Sequence, residues 1–433
     1  MSLKRISLFL LCFILLFVTL VVYFKRAITS GAYYGATDFY KFYESTLLYF
    51  SGQNLYSNLI IELKGPLYSE WVSANGNLNP PFFTLLLLPL HVFNYGDAYK
   101  IWSEISIACI FIGGYLALRP FPQWHKNTFP ILTLFAMYVP NSVNLAYGQI
   151  STMLLVIVVL AWLSARENKD ISAGLLIGFA CAIKLFCGLF LIYFLCLKRY
   201  RLVAVSILVI LMAALLGLLV FGIQPYFAYH GTLSQIGWYA VSANDSLYGF
   251  FYKLFSNAEK NQPFIVAPYL VNIFTVGCSV LLMGYLIRHW IKWGNQKFDI
   301  GFSLVIVSML LLSPLGWVYY FPLLLIPYLV IVREGNTWTH LAACFVCFAS
   351  MQTGDFLRPM QMKTMAQLFV LAGMGFYVLL AVLALLIIVY AGVKKSEKYT
   401  LSENHWLLIY AVVFIPAVLS LGGLIRGLYR LCH

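Results

Sequence analysis

Apolar runs long enough to cross a bilayer, or to cross it when tilted, recur along almost all of this chain. They stand near 6–24, 82–93, 98–118, 128–140, 147–164, 171–197, 202–222, 264–288, 300–332, 338–352, 366–392 and 404–425. A hydrocarbon core of about 30 Å takes about 20 residues of helix to cross. The run at 171–197 reads as two pieces, and 300–332 breaks around Pro314. Pro140 and Gly148 interrupt others, and such breaks are tolerated where a helix lines protein or a water-filled cavity. Charged residues are 10% of the chain and mean hydropathy is +0.85, whereas a soluble domain is about a quarter charged. The expected fold is an all-α polytopic membrane protein with about eleven to thirteen transmembrane helices. With no internal repeat and no polar second domain, 1–433 reads as one membrane domain: a core to about 330, then C-terminal helices at about 338–425.

The net charge of +13 fits cytoplasmic Lys/Arg loops and anionic lipid headgroups and argues against nucleic acid. Lys394, Lys395, Lys398 and the cluster Lys198, Arg199, Arg201 are the best cytoplasmic markers. The long aromatic loops 25–81 and 224–262 are expected on the exoplasmic side. Neither holds any of the nine cysteines, so no disulfide framework is expected. Cys344 and Cys347 form a CxxC within an apolar run and read as buried small hydrophobes. The histidines show no metal-ligand spacing, and no metal or cofactor is expected. Lys4 and Arg5 before Ile6–Phe24 could begin a signal peptide. The length of the run and the lack of a clean small-x-small site favour an uncleaved first helix.

Asp38 follows that helix directly, in Thr37-Asp38-Phe39-Tyr40. An acid at the edge of a membrane is costly and is a functional candidate by default. Phe39, Phe42, Tyr43, Thr46, Leu47 and Phe50 then fall on one helical face, with Lys41, Glu44 and Ser45 off it. The spacing predicts an amphipathic helix that can lie in the membrane interface, with Asp38 at headgroup depth.

Five further stretches follow in order, the first of them completing the Asp38 segment. Gly52-Gln53-Asn54-Leu55-Tyr56 and Asn79-Pro80-Pro81-Phe82 come first. Tyr147-Gly148-Gln149-Ile150-Ser151 opens a helix and precedes Gly174, Gly178 and Ala182-Ile183-Lys184. Asn244-Asp245-Ser246-Leu247 leads to Gly249 and Lys253, and Leu312-Ser313-Pro314-Leu315-Gly316-Trp317-Val318-Tyr319-Tyr320 closes the series. In this order and spacing, from about residue 35 to 330, the chain resembles the polyprenol-phosphate-mannose-dependent mannosyltransferases, glycosyltransferase family 87 of the GT-C superfamily. Two positions depart from the pattern: Tyr319 stands where the family often has His, and Cys187 where Pro commonly follows the helix Lys.

The resemblance implies a GT-C-type membrane enzyme that moves a hexose, mannose by the family, from a polyprenyl-phosphate donor to a glycolipid or glycan acceptor. It implies inversion in one displacement at the exoplasmic face of a bacterial inner membrane. The chemistry needs a general base within reach of the acceptor hydroxyl, for which Asp38 is the candidate. It needs positive charge at the departing phosphate, for which Lys184 and Lys253 are candidates. Tyr40, Asn79, Gln149, Asn244, Trp317 and Tyr319 are candidate sugar contacts. Each residue also has a plainer reading. Asp38 could only cap its helix, with Glu44 the rival base. Pro80-Pro81 could be a rigid helix entry, and Gln149 could satisfy backbone freed at a helix break. Lys184 could snorkel, Lys253 could be a loop charge, Trp317 could be an interface anchor, and Asn244-Asp245-Ser246 is also a glycosylation sequon. The competing functions are a lipid or glycan flippase and an O-antigen polymerase or ligase. A flippase would show ionisable pairs along several helices; a ligase would show more Arg and His than the Asp355, Arg358 and Lys363 of segment 353–365.

Overall fold

The computed structural model describes residues 3–32, 37–57, 59–65, 68–74, 77–234, 236, 239–241, 243–256, 263, 265–351 and 374–392. The span expected at 404–425 and the segment 353–365 lie outside these. Helix α1 (Leu3–Ala32) runs into α2 (Asp38–Phe50), followed by strands β1 (Leu59–Gly65) and β2 (Tyr68–Ala74), then α3 (Pro81–Leu87) and α4 (Tyr95–Leu118). The bent pair α5 (Thr128–Ala136) and α6 (Val139–Tyr147) leads to α7 (Ser151–Arg166), α8 (Asp170–Ile183), α9 (Leu189–Cys196) and α10 (Tyr200–Phe221). Then come α11 (Gln224–Ser234), α12 (Leu247–Phe255), α13 (Pro268–Trp293), α14 (Phe298–Leu312), α15 (Leu325–Glu334), α16 (Thr337–Met351) and α17 (Met374–Gly392).

The protein is an all-α polytopic membrane protein apart from the β1–β2 hairpin. That antiparallel pair, closed between Gly65 and Tyr68, was not expected. Its only signal is the enrichment of Leu, Ile, Val and Trp in 59–74. Five helical stretches among the described residues are long and apolar enough to cross a bilayer, six if α5 and α6 make one span. The sequence-based count was higher because it took the shorter apolar helices as spans. Breaks at Gly148, Lys184 and Ser313–Gly316 divide the apolar runs into helices such as α7, α8 and α9, of 16, 14 and 8 residues.

Those breaks all face one end of the bundle. α4 begins beside α2, α7 starts at the Gly148 turn, and α8 and α14 end at the same cavity. The opposite end holds the charged termini of the same helices. Asp299 accepts from Trp162 Nε1 at 2.9 Å and from Arg333 at 3.0 Å, and pairs with Arg166. Arg199 pairs with Asp170. α8 and α10 approach closely through Gly174 and Gly178, where a Cβ would stand 2.7 Å from the Leu202 carbonyl and 2.6 Å from that of Ser206. Small residues four apart permit this backbone contact in a membrane bundle, and it fixes the height at which α8 delivers Lys184.

The face of α2 read as amphipathic is covered by protein. Phe39, Phe42 and Tyr43 are buried against Phe83, Tyr95, Tyr99 and Trp102 of α3 and α4, with Phe39–Tyr99 and Phe39–Trp102 ring centroids both 5.4 Å apart. Only Phe50, at the far end of the helix, is exposed. α2 is therefore a rigid part of the bundle, and Asp38 inherits that rigidity.

Candidate active site

Asp38 is the first residue of α2, while Thr37 occupies the cap position. The Thr37 hydroxyl lies 2.7 Å from that of Tyr95, which ties the helix start to α4. The Asp38 carboxylate is held at both oxygens: Lys41 Nζ donates to Oδ1 at 3.0 Å and Gln149 Nε2 donates to Oδ2 at 2.8 Å. Its neighbours thus include a side chain 111 residues away, which a simple cap does not require.

Gln149 reaches Asp38 because of Gly148. This glycine ends α6 at φ +62°, a left-handed conformation that side chains resist. A Cβ there would lie 2.5 Å from Phe39 Cβ and 2.9 Å from Tyr99 Cε2. The Gly148 carbonyl accepts from Trp102 Nε1 at 2.8 Å. Asn144 closes the turn, its backbone carbonyl accepting from Gln149 N and its Oδ1 from Ser151 N, both at 2.9 Å.

Asp38 opens onto a cavity of about 710 Å³, within the usual range for a small-molecule site. Asn79, Gln149, Lys184, Trp317 and Tyr319 line it with Asp38, so four separate motifs converge. Lys184 sits where α8 breaks, its extended backbone ending the helix, and its ammonium lies 5.5 Å from the Tyr320 ring centroid. Asn79 is 1% exposed. Its carbonyl accepts from Tyr56 Oη at 2.7 Å, which joins the Gly52–Tyr56 loop to the Pro80-Pro81 entry of α3. Trp317 and Tyr319 stack at 5.9 Å and 21°, and Tyr147 approaches Tyr319 at 6.4 Å.

Three sequence candidates stand outside the cavity lining, and packing explains each. Tyr40 is buried toward α4, 6.2 Å from Tyr95 by ring centroids, because α2 turns its aromatic face inward. Asn244 is fully buried. Its Nδ2 donates to the carbonyls of Tyr239 at 3.1 Å and Pro314 at 3.0 Å, and its Oδ1 accepts from Gly316 N at 3.0 Å and Ser246 N at 3.3 Å. All of its capacity is spent on backbone, half of it on Pro314 and Gly316 of the Ser313–Tyr319 loop, which also bridges from Trp317 to Asn244. Lys253 is 1% exposed and donates to the Asn244 carbonyl at 2.7 Å. Beside it, burial pushes the Asp245 carboxyl up to about 7 against the pull of Lys253 and the N–H groups of Phe376 and Gly375, and burial likewise pulls Lys253 down to about 8. The pair props the loop from behind.

Sequence reasoning passed over Lys41, Tyr147, Tyr229, Tyr239 and Tyr320, all of which line the cavity. Lys41 was legible, since it lies three residues after Asp38 on a helix and that spacing places the two side chains together. Tyr147 and Tyr320 stand within two of the quoted motifs and were legible there, whereas Tyr229 and Tyr239 carried no local signal in a chain with 30 tyrosines. An apolar flank completes the wall: Ile183, Leu185, Phe186, Leu189, Met309 and Leu312.

The arrangement can place a proton acceptor, two cations and an aromatic shelf around a polar headgroup, with an apolar wall beside it. Among known proteins, the family model of glycosyltransferase family 87 matches residues 77–314. A polyprenol-phosphate-mannose-dependent alpha-(1-2)-phosphatidylinositol pentamannoside mannosyltransferase of Mycolicibacterium smegmatis is 27% identical over 263 residues, covering 59% of this chain and 60% of the relative. A protein of the same name from Mycobacterium tuberculosis is 23% identical over 272 residues, covering 59% of this chain and 58% of the relative. The matches span about three-fifths of those relatives' length. No solved structure matches the chain.

Proposed function

The chain belongs to glycosyltransferase family 87, and from that premise we propose that it transfers mannose from a polyprenyl-phosphate donor to a glycolipid or glycan acceptor. The observation that carries this reading is the cavity itself. One carboxylate stands in it, held by Lys41 and Gln149, with Lys184 on the same wall and an apolar flank alongside. A lipid-linked sugar phosphate has these same parts: a chain, an anion and a polyol.

Asp38 acts as general base on the acceptor hydroxyl. That hydroxyl oxygen bonds to the anomeric carbon as the bond from that carbon to the phosphate oxygen breaks, inverting the centre with no covalent intermediate. The electron pair leaves with the phosphate, and Lys184 stabilises the charge that develops there. Trp317 and Tyr319 form the shelf for the sugar, and Asn79 and Gln149 supply its polar contacts. Tyr319 takes the place where relatives often carry His, so it serves as a neutral contact. The flank from Ile183 to Leu312 seats the first isoprene units.

The distribution of cations supports an exoplasmic site. Arg119, Lys126, Arg166, Lys169, Lys198, Arg199, Arg201, Lys292, Lys297 and Arg333 all stand at helix ends opposite Asp38. Lys/Arg excess marks the cytoplasmic side, which turns the cavity outward from the inner membrane.

The test is purified protein in detergent with synthetic polyprenyl-phosphate mannose and a panel of lipid-linked mannosides, beginning with phosphatidylinositol pentamannoside. Mass spectrometry should find acceptor extended by one hexose. Movement of the donor lipid across liposomes with no extended product on any acceptor would replace the enzyme with a flippase.

A further inference from the structure

Tyr239 lines the cavity, yet it belongs to none of the motifs and the transfer step gives it no role. Its ring is the inner member of a cluster. Tyr248 packs against it at 4.8 Å and 79°, Tyr252 at 5.6 Å and 54°, and Tyr248 and Tyr252 meet at 5.8 Å and 39°. Neither Tyr248 nor Tyr252 is part of the cavity lining, so the cluster begins at the cavity wall and continues beyond it. The pattern of α12 puts it there. Leu247, Phe250 and Leu254 are buried in the main core, while Tyr248 and Tyr252, four residues apart, share a different face of the helix. All three tyrosines are only partly buried, and none of their hydroxyls bonds to a described residue.

We propose that Tyr239, Tyr248 and Tyr252 form a second sugar-binding platform, which holds the acceptor's sugars beyond the one that receives the transfer. The acceptor is then an oligosaccharide-bearing molecule. This rests on the reading of the cavity as the site of a glycosyltransferase.

The chemistry of the cluster matches that ligand. A pyranose has an apolar C–H face and a rim of hydroxyls. Tyrosine offers the complement, a flat apolar ring with a hydroxyl that both donates and accepts. The platform is also fixed to the site it would serve. Ser246 Oγ accepts from Gly249 N at 2.9 Å and donates to the Pro314 carbonyl at 3.0 Å. That pins the start of α12 to the loop carrying Trp317 and Tyr319. The Tyr239 carbonyl accepts from Asn244 Nδ2 at 3.1 Å, and Asn244 holds the same loop through Pro314 and Gly316. With the donor's sugar phosphate in the cavity, the remainder of an acceptor has to lie outside it, and the cluster continues the wall in that direction. Tyrosine also anchors proteins in the membrane interface, but an anchor needs neither the mutual packing of three rings nor continuity with a polar cavity.

The test varies acceptor length. Transfer from synthetic polyprenyl-phosphate mannose is measured to octyl mannoside, octyl dimannoside and octyl tetramannoside. In wild type, kcat/KM should rise at least about tenfold from one sugar to four, the scale of one or two ring contacts and hydrogen bonds. Tyr248→Ala combined with Tyr252→Ala should erase that gain, raising KM for the tetramannoside about 10- to 100-fold. KM for octyl mannoside and for the donor should stay within about threefold, the low end for a single lost contact. Tyr248→Phe combined with Tyr252→Phe keeps the rings and the packing but loses two hydroxyls, so its KM for the tetramannoside should fall between those of wild type and the alanine variant.

A wild-type enzyme indifferent to acceptor length overturns the platform, and that result needs no variant. A loss that is equal for all three acceptors in the alanine variant also overturns it, because an interface anchor or a weakened fold acts on every acceptor alike. In both cases sugar transfer itself persists and the reading of the cavity stands. Protein that extends no acceptor, phosphatidylinositol pentamannoside included, overturns instead the transferase reading beneath the platform.

Discussion

Replacing Asp38 with Asn separates the carboxylate's chemistry from its structural contacts. The amide keeps the shape, and its two ends can meet the same neighbours. Oδ1 can still accept from Lys41, now at 3.0 Å, while the new Nδ2 faces Gln149 at 2.8 Å. Gln149 can answer by turning its amide over, because its Oε1 accepts nothing from any described residue. The local network therefore survives with two charged hydrogen bonds exchanged for weaker ones, a change on the order of 1 kcal/mol each. The loss of a negative charge in the first turn of α2 adds about 0.3–1 kcal/mol. Catalysis loses its proton acceptor, which contributes about 100- to 10,000-fold, or about 3–5 kcal/mol of barrier. Sugar transfer from synthetic polyprenyl-phosphate mannose, followed at saturating donor with donor binding measured in parallel by calorimetry, should show kcat down by at least about 100-fold and donor affinity within about tenfold. Retention of more than about a tenth of wild-type turnover would refute Asp38 as the base and leave it an anchor for Gln149.

Lys184→Ala should act chiefly on donor affinity, raising KM about 10- to 100-fold, because it removes charge facing the phosphate in ground and transition states alike; a fall in kcat with KM unchanged would contradict this. Gly148→Ala should lower activity and thermal stability together. The residue sits at φ +62° with Phe39 Cβ only 2.5 Å from the added methyl, and strain plus overpacking cost about 2–4 kcal/mol; a melting temperature equal to wild type would show that the turn yields. Lys253→Met should destabilise the protein more as pH rises. With its counter-ion gone, the Asp245 carboxyl, already raised by burial to about 7, is raised further. The folded state then holds a proton that the unfolded chain releases from about pH 4 upward, so stability declines with pH through the folded value. The pH dependence of melting should run parallel to wild type at low pH, and the variant should lose stability relative to wild type above neutrality.

Much of the protein was written locally. The scarcity of charge and the repeated apolar runs dictate a helical membrane protein, since solvation by lipid depends on composition and segment length. Glycine and proline positions foretold the breaks at Gly148 and Pro314, because backbone conformation is a local property. Of the residues the motif series singled out, Asp38, Asn79, Gln149, Lys184, Trp317 and Tyr319 line one cavity, while Asn244 does not. Tertiary structure decided what each does there. Asn244 and Lys253 looked like site residues, yet a side chain's partners depend on which loop packs against it: Asn244 holds the Ser313–Tyr319 loop and Lys253 donates to the Asn244 carbonyl behind it. The apolar face of α2 suited a lipid surface equally well, and only the approach of α3 and α4 made it a protein core. The 2.8 Å bond between Gln149 and Asp38 joins residues 111 apart. Periodicity along a chain cannot report such a distance; it exists because Gly148 lets α6 end against Phe39.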